Sequence, residues 1–397
     1  MALPALFSDP DQIDAILAKI LTPNDDSGRH GVLIPVGAHS MFPEFPDFKP
    51  GAVVNYTLPI TTRWPEEKGS ERSSSYKHYH RYPERRITAL GSVDLNSAPP
   101  QSLIVVGRRR GTEDDFEIHL LRPTDQRYGQ MLRDLGFKST DAGAFVLQRD
   151  WTPSLKVAEN PHLTELLNRF DKLKSLGFVG ATRGGDTAVG HTFELHMGVQ
   201  ENNFGTADFE GIELKAIRRS DFDRGSPERT NLFLKEPKWI DGLAAAERVR
   251  AYGYISELQR EALYSCVSSK QNSHGLKLRV DRNEQRVYVD FESTPAGYYT
   301  FEVLEKRLKE KLRDMFVGLA TTKGTGQDES FLYHSAIFCS NPSATEFVRL
   351  IEQGDIMLEI RMHVTTSGAC RNHGSGFRIK MNKWPELFAS VREVRAK

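Results

Sequence analysis

Three residues near the middle of the chain have the types and spacing for metal-assisted hydrolysis: Asp208, Glu213 and Lys215. With Ile212–Ile217 as a β-strand, Glu213 and Lys215 fall on one face and Ile212, Leu214 and Ala216 on the other, because strand side chains alternate. Asp208 precedes the strand across Phe209-Glu210-Gly211, a connection short enough to bring it to the same face. Two carboxylates and an ammonium at a strand end form a hard-oxygen site. Such a site can hold Mg2+ against a phosphate and leave Lys215 to orient a water or share the developing charge. The D-x4-E-x-K spacing is weak by itself, since a chain with 53 acidic and 53 basic residues also produces it as a solvated strand edge.

The surroundings add to it. Glu194 lies in HTFELHMG, which follows a Gly-Gly-Asp-Thr start and reads as a short helix carrying a third carboxylate toward the site. Asn202, Asn203 and Gly205 make a turn into Asp208. The order G-x-T-x-x-G-x-T-x-E, then G-V-x-E-N-N, then D-F-x-G-I-E-L-K resembles the MvaI/BcnI restriction endonucleases and is similar to their relative, the MutH mismatch-repair nicking enzyme. All belong to the PD-(D/E)XK nuclease superfamily. The resemblance implies that Asp208, Glu213 and Lys215 are catalytic and Glu194 assists. It also implies that Asp208, Glu213 and the Leu214 backbone hold Mg2+. Ala207 stands where the superfamily's name has proline.

Near the end, Ile356–Lys380 reads as a strand, a Gly-rich turn and a second strand, with Arg371, Asn372, His373 and Arg378 at the tip. Arginine suits bidentate contact with guanine, and Asn or His can read neighbouring base edges. R-N-H-G-x-G-F-R-I also resembles the recognition hairpin of the same family. His373 could alternatively lie near the scissile phosphate.

The elements that must position these residues fall into two domains, with the boundary in the Pro-containing WTPSLKVAENP stretch: residues 1–155 and 156–397. A chain of 397 residues is long enough for two cores, and 39% hydrophobic with 27% charged residues is ordinary for a globular protein. Formal net charge is zero, so nucleic-acid binding has to come from local basic patches. Cys266, Cys339 and Cys370 form no C-x-x-C pair, which argues for a reducing, cytoplasmic location and against structural zinc. MALPALFSDPDQ lacks the features of a signal peptide, and no apolar run is long enough to cross a bilayer.

In the first half, Ser8-Asp9-Pro10 reads as the cap of a helix with Ile13, Ile16, Leu17, Ile20 and Leu21 on one face. Short strands follow at Gly31–Val36, Ala52–Ile60, Leu103–Gly107, Phe116–Leu121 and Ala144–Gln148, with a helix over Asp125–Leu135, which suggests a small mixed barrel. Arg72, Lys77, Arg81, Arg85 and Arg86 interleave with Tyr76, Tyr79 and Tyr82 in one stretch, suited to phosphates and base edges, or to an exposed loop. His78 and His80 lack further ligands at metal spacing. I-L-x-K-x-L-x-x-N-D at Ile16–Asp25, G-V-L-I-P at Gly31–Pro35 and R-R-I-T-A-L-G at Arg85–Gly91 resemble the N-terminal domain of EcoRII, a plant-B3-type DNA-binding pseudobarrel. By that resemblance the Asn24–His30 turn, with Arg29, and the Arg72–Arg86 stretch are two arms that grip the major groove.

In the second half, Leu163, Leu166, Leu167, Phe170, Leu173 and Leu176 form a helical stripe. Ser220–Lys238 reads as a polar loop and Trp239–Tyr254 as a helix. Strands are expected at Ala262–Val267, Leu276–Val280, Arg286–Phe291, Phe316–Thr322 and Ser330–Phe338, with helices capped by Thr300 and Ser343. Lys306, Lys309 and Lys311 on the first of these helices read as a solvated face. No G-K-[ST], G-x-G-x-x-G or G-x-S-x-G motif occurs, which sets aside nucleotide binding and a covalent hydrolase.

The fold expected is therefore α/β and mixed: a B3-like pseudobarrel followed by a PD-(D/E)XK restriction-endonuclease-like α/β domain, in a UbaLAI-like arrangement. The resemblances imply a monomeric type II endonuclease that cuts double-stranded DNA at CCWGG with Mg2+, alongside a cognate DNA methyltransferase in the same host. The other readings are a MutH-like repair nickase and a non-catalytic DNA-binding regulator.

Overall fold

The computed structural model describes residues 3–27, 30–49, 52–67, 71–81, 84–137, 140–151, 161–199, 207–224 and 228–394. The first half contains β1 (Ile13–Ile20), β2 (Val32–Ile34), β3 (Tyr56–Arg63), β4 (Glu71–Tyr79), β5 (Glu84–Thr88), a short α1 (Val93–Ser97), β6 (Leu103–Arg109), β7 (Asp115–Leu121), α2 (Tyr128–Asp134) and β8 (Phe145–Arg149). The strands pair in the order β8-β1-β6-β7-β3-β4-β5-β2. Leu17, Ile34, Ile60, Tyr76, Ile87, Val106, Ile118 and Leu147 come one from each strand and meet in one buried cluster. A sheet whose inner residues all converge in this way is curled on itself as a pseudobarrel.

β1 corrects the expected helix. Only Pro10–Gln12 forms a helical turn, capped by the Asp9 side chain, and Ile13–Ile20 is extended between β6 and β8. Ala15 and Leu17 face the barrel interior, while Ile16, Ala18 and Ile20 pack with Met131 and Leu132 of α2. A strand apolar on both faces also contains every helical spacing, so periodicity could not separate the two. The β-branched Ile13, Ile16 and Ile20 favour the extended form.

The second half runs α3 (Leu163–Ser175), β9 (Val179–Gly180), α4 (Ala188–His196), β10 (Ile212–Arg218), α5 (Arg219–Arg224), β11 (Arg229–Leu234), β12 (Lys238–Trp239), α6 (Ala245–Tyr252), β13 (Tyr254–Ile255), β14 (Glu261–Val267), β15 (Leu276–Asp281), β16 (Arg286–Phe291), β17 (Thr294–Thr300), α7 (Phe301–Leu312), β18 (Asp314–Lys323), β19 (Ser330–Pro342), α8 (Ala344–Glu352), β20 (Ile356–Val364), β21 (Cys370–Asn372), β22 (Gly376–Lys380) and β23 (Phe388–Val394). β10 pairs in parallel with β18, which continues antiparallel to β19 and β23. One face of this sheet packs Leu214, Phe316 and Tyr333 on α3 and α4 through Leu166, Phe170 and Phe193. The other carries Ile217, Val317 and Ile337 toward Leu304 and Leu308 of α7 and Leu350 of α8. Thr300 and Ser343 cap α7 and α8 as expected. The polar loop expected over Ser220–Lys238 is instead α5, β11 and β12, with Leu232 and Phe233 buried, and the helix after it is shorter, with Trp239 in β12.

β23 lies between β19 and β8, so a single 13-stranded sheet runs from the first half into the second. Phe388 and Val391 share one buried cluster with Phe145 and Leu147. Arg149 is buried at this seam and donates to the carbonyls of Glu386 and Pro385 at 2.6 and 2.8 Å. The boundary expected between residues 155 and 156 lies outside the described residues, but the two halves share sheet and core.

Two outcomes follow. Arg149→Met takes its donor from the buried Glu386 carbonyl and one of two donors from the Pro385 carbonyl, which also accepts from Phe388 N–H, and should lower stability by about 2 kcal/mol, read by denaturant unfolding. In the barrel, His119 lies between Glu66 at 2.7 Å and Glu117 at 2.9 Å, and Glu117 also accepts from the Ser8 amide. Burial would lower the His119 pKa, but bonds to Glu117 and Glu66 outweigh it and hold it above 6.5; burial would raise both glutamates, yet His119 keeps them below 4.5. This cluster's stabilisation should therefore be fully present between those ordinary values. It is lost as pH rises through the raised histidine value, and lost again as pH falls through the lowered carboxylate values. In His119→Phe, the alkaline loss in melting temperature should be smaller than in the wild type.

Candidate active site and nucleic-acid interface

Asp208 reaches Glu213 through a two-residue reversal. Phe209 N–H donates to the Ile212 carbonyl at 2.9 Å and Ile212 N–H to the Phe209 carbonyl at 2.7 Å. Glu210 and Gly211 between them have φ of +43° and +82°, the pair of left-handed residues that a type I′ hairpin requires. The residues next outward from the closing pair are Asp208 and Glu213, which explains why five positions in sequence become neighbours in space. The Asp208 carboxylate accepts from Leu214 N–H at 3.0 Å.

Glu213 is buried, and each of its oxygens meets an ammonium: Oε1 meets Lys215 Nζ at 2.8 Å and Oε2 meets Lys311 Nζ at 2.7 Å. Burial would raise the Glu213 pKa, but Lys215 and Lys311 outweigh it and hold it low. Asp208 moves the other way, raised by burial and by the Glu213 charge against the opposing Leu214 N–H and lysines. Burial would lower Lys215, but Glu213, Asp208 and Glu194 keep it raised and charged.

Glu194 gets within electrostatic reach of Lys215 because α4 lies close on the sheet. Gly318 of β18 makes this possible: a Cβ there would stand 2.5 Å from the Phe193 ring. Tyr333 OH donates to the Val189 carbonyl at 2.7 Å and ties the same helix down. The turn expected at Asn202, Asn203 and Gly205 lies outside the described residues.

Among the described residues no group of three or more His, Cys, Asp or Glu side chains is arranged to hold a metal. Two carboxylates and a backbone carbonyl do fit a hard divalent ion. The N–H and C=O of one strand residue point to the same side. Leu214 N–H points to Asp208, so its carbonyl faces that edge too, away from the ladder with β18. The repulsion that raises Asp208 is what a cation between the carboxylates would relieve.

Lys311 is the site residue the sequence reading missed. Lys306 and Lys309 are exposed as expected, but the Lys311 side chain, on the same helix, is only 16% exposed. Its position one residue before the buried Leu312 was the available signal.

The hairpin stands on a sheet ordered β11-β22-β20-β14-β13, with β21 beside β20. Alternation puts Glu359, Arg361 and His363 of β20 on one face, opposite Cys266, Tyr264 and Ala262 of β14. Arg371 stands opposite His363 and Arg378 opposite Met357 on the same face. Arg371, Asn372 and His373 are exposed, and the His373 ring stacks on His363, whose Nδ1 is 2.8 Å from Tyr264 OH. Asn372 Oδ1 accepts from Gly374 N–H at 2.7 Å, and Arg378 is ion-paired with Glu359 at 2.9 Å. Arg361, His363 and Tyr264 join the candidate contacts; the alternation in IMLEIRMHV was the signal for Arg361 and His363.

In the barrel, Arg72–Arg86 is largely the β4–β5 hairpin rather than a loop. Arg81 is exposed and Lys77 half-buried near its tip. Arg85 stacks over Phe45 and Phe48. Arg72 donates to the Leu90 carbonyl and pairs with Glu67. Arg86, expected to contact DNA, is buried and donates to the carbonyls of Asn24, His30 and Gly31. It thereby holds Asn24 and His30 in place, while buried Lys19 and Asp25 pair at 2.7 Å beside Asn24. Arg29 lies outside the described residues.

An acid pair and a lysine at an edge strand of a mixed sheet, with helices packed on both faces, form a site suited to metal-assisted hydrolysis. The description of the MvaI/BcnI restriction endonuclease family matches residues 167–388, more than half of the chain, and the chain belongs to that family. Its class of activity is DNA-cleaving hydrolysis. Among solved structures, the chain is similar to restriction endonuclease MvaI in a complex with its cognate DNA substrate, at 26% identity over 59% of this chain and 98% of that one, with a TM-score of 0.49. MvaI in the absence of DNA gives the same identity and coverage, with a TM-score of 0.41. The B3 domain of the UbaLAI restriction endonuclease, solved with cognate DNA, is 34% identical over 34% of this chain and 87% of that one, with a TM-score of 0.28. No protein of curated function matches the chain. Among the described residues no helix is long and apolar enough to cross a membrane.

Gly318→Val should force α4 from the sheet and move Glu194 off the site. The expected result is a cleavage rate lowered by roughly 100-fold, since small misplacements cost that much. Single-turnover cleavage and thermal melting, compared with Gly318→Ala, check it.

Proposed function

We propose that the chain is a Mg2+-dependent type II endonuclease that hydrolyses both strands of double-stranded DNA at CCWGG. Residues 1–155 add a second sequence-specific contact with DNA. The observation that supports this best is the gathering of Asp208, Glu213 and Lys215 at the Phe209–Ile212 turn in a chain of the MvaI/BcnI family. The resemblances to EcoRII in the first half and to MvaI in the second support the word CCWGG. The family pattern further suggests a monomer acting in the cytoplasm beside a cognate methyltransferase.

Asp208, Glu213 and the Leu214 carbonyl would hold the ion, which supplies Lewis-acid polarisation of the scissile phosphate and an acidified water. Lys215 orients the attacking water and offsets charge that develops on the phosphate. Glu194 helps keep the Lys215 ammonium charged. Arg371 and His373 reach base edges from the hairpin tip, with Asn372, Arg378 and Arg361 beside them. Arg81, Lys77 and Arg85, with Arg29, serve the barrel's contact with phosphates and bases, while Arg72 and Arg86 support it from within. The products are 5′-phosphate and 3′-hydroxyl ends.

Digestion of plasmids with and without CCWGG in Mg2+, with the ends sequenced, tests the reading. Linear product cut at that word is expected; cleavage at an unrelated word defeats the specificity, and nicked circles alone favour a MutH-like nickase. Asp208→Ala and Lys215→Ala should each lower the rate about a thousandfold or more. Undiminished biological function in those variants would instead favour a non-catalytic regulator.

A further inference from the structure

Glu213 has an ammonium on each oxygen, and the two lysines come from different elements. Lys215 shares β10 with it, two residues on. Lys311 comes from the last turn of α7 and meets Oε2 at 2.7 Å with little solvent exposure. Its neighbour Lys309 pairs with Glu305 along the outer face of α7, so the inward reach of Lys311 is particular to that side chain. α7 is fixed by Leu304, Leu308 and Leu312 in the core, and the contact is built into the packing.

An ammonium held against a buried carboxylate oxygen repels a cation approaching that oxygen, so the two compete for it. Lys215 also faces the charges of Asp208 and Glu194, which keep it at the strand end. Lys311 enters from the last turn of α7 and can swing away on its four methylenes. We propose that Lys311 is a positioning residue that competes with the divalent ion for Glu213 Oε2, so that metal binding requires its release. The inference rests on the metal reading of this site. A released ammonium beside the strand end has a ready partner in a DNA phosphate, so DNA should relieve the competition. By reciprocity, the metal should then favour DNA to the same degree.

The test is calorimetric titration of the full chain with Ca2+, without DNA and then with an oligonucleotide duplex carrying CCWGG. Lys311→Met should bind Ca2+ about tenfold more tightly than the wild type without DNA, the cost of displacing a buried ion pair being removed. The gain in Ca2+ affinity on adding duplex should be smaller in the variant. Lys311→Gln, which keeps chain length and polarity without charge, replaces it should Lys311→Met fail to fold. Equal or weaker Ca2+ binding by the variant, against a wild type that binds more tightly than Asp208→Asn, overturns this inference alone. Equal binding by wild type and Asp208→Asn overturns the metal reading, and this inference with it.

Discussion

Two like charges held side by side are the constraint on which the structure of the second half depends. Asp208 and Glu213 repel each other in a half-buried setting, and burial makes ionisation harder for both. The fold answers with fixed partners: the Leu214 amide for one, and ammonium groups from β10 and α7 for the other. Each partner has its own support. The type I′ reversal sets the register of Asp208, the parallel β10–β18 pairing holds Glu213, and the core face of α7 delivers Lys311.

The gathering of Asp208, Glu213 and Lys215 was legible because it is local. A strand and a tight turn convert short sequence spacing into spatial contact, and Glu210-Gly211 is turn chemistry that can be read directly. Lys311 was not legible, since its contact with Glu213 crosses almost a hundred residues and its helix face looks like ordinary solvated charge. Gly318 was silent for a similar reason: its meaning depends on a phenylalanine from another layer. The mistaken helix at Ile13–Ile20 shows the complementary limit. Burial on both faces erases the alternation by which a strand is recognised.

Arginine-rich stretches tell less than their composition suggests. Arg72 and Arg86 belong to the same run as Arg81, yet they are bound to backbone carbonyls within the barrel. Strand alternation sorts them: Arg86 lies opposite Lys77 and Arg85 opposite His78, so consecutive arginines of one strand have different surroundings. In the hairpin sheet the same alternation works constructively, collecting Arg361, His363, Tyr264 and Arg371 on one face from three strands.

β23 joins β19 to β8 and thereby ties the end of the chain to the barrel. This limits how the halves can be recombined. A donor barrel grafted in place of the present one would need a strand able to take up the Ser390–Arg392 rungs, as well as a counterpart of Arg149 for the two carbonyls. Without them the chimera carries a bare β-edge next to apolar residues, a template for pairing between molecules. The halves of this chain are therefore not freely interchangeable modules: their compatibility is written into the last strand.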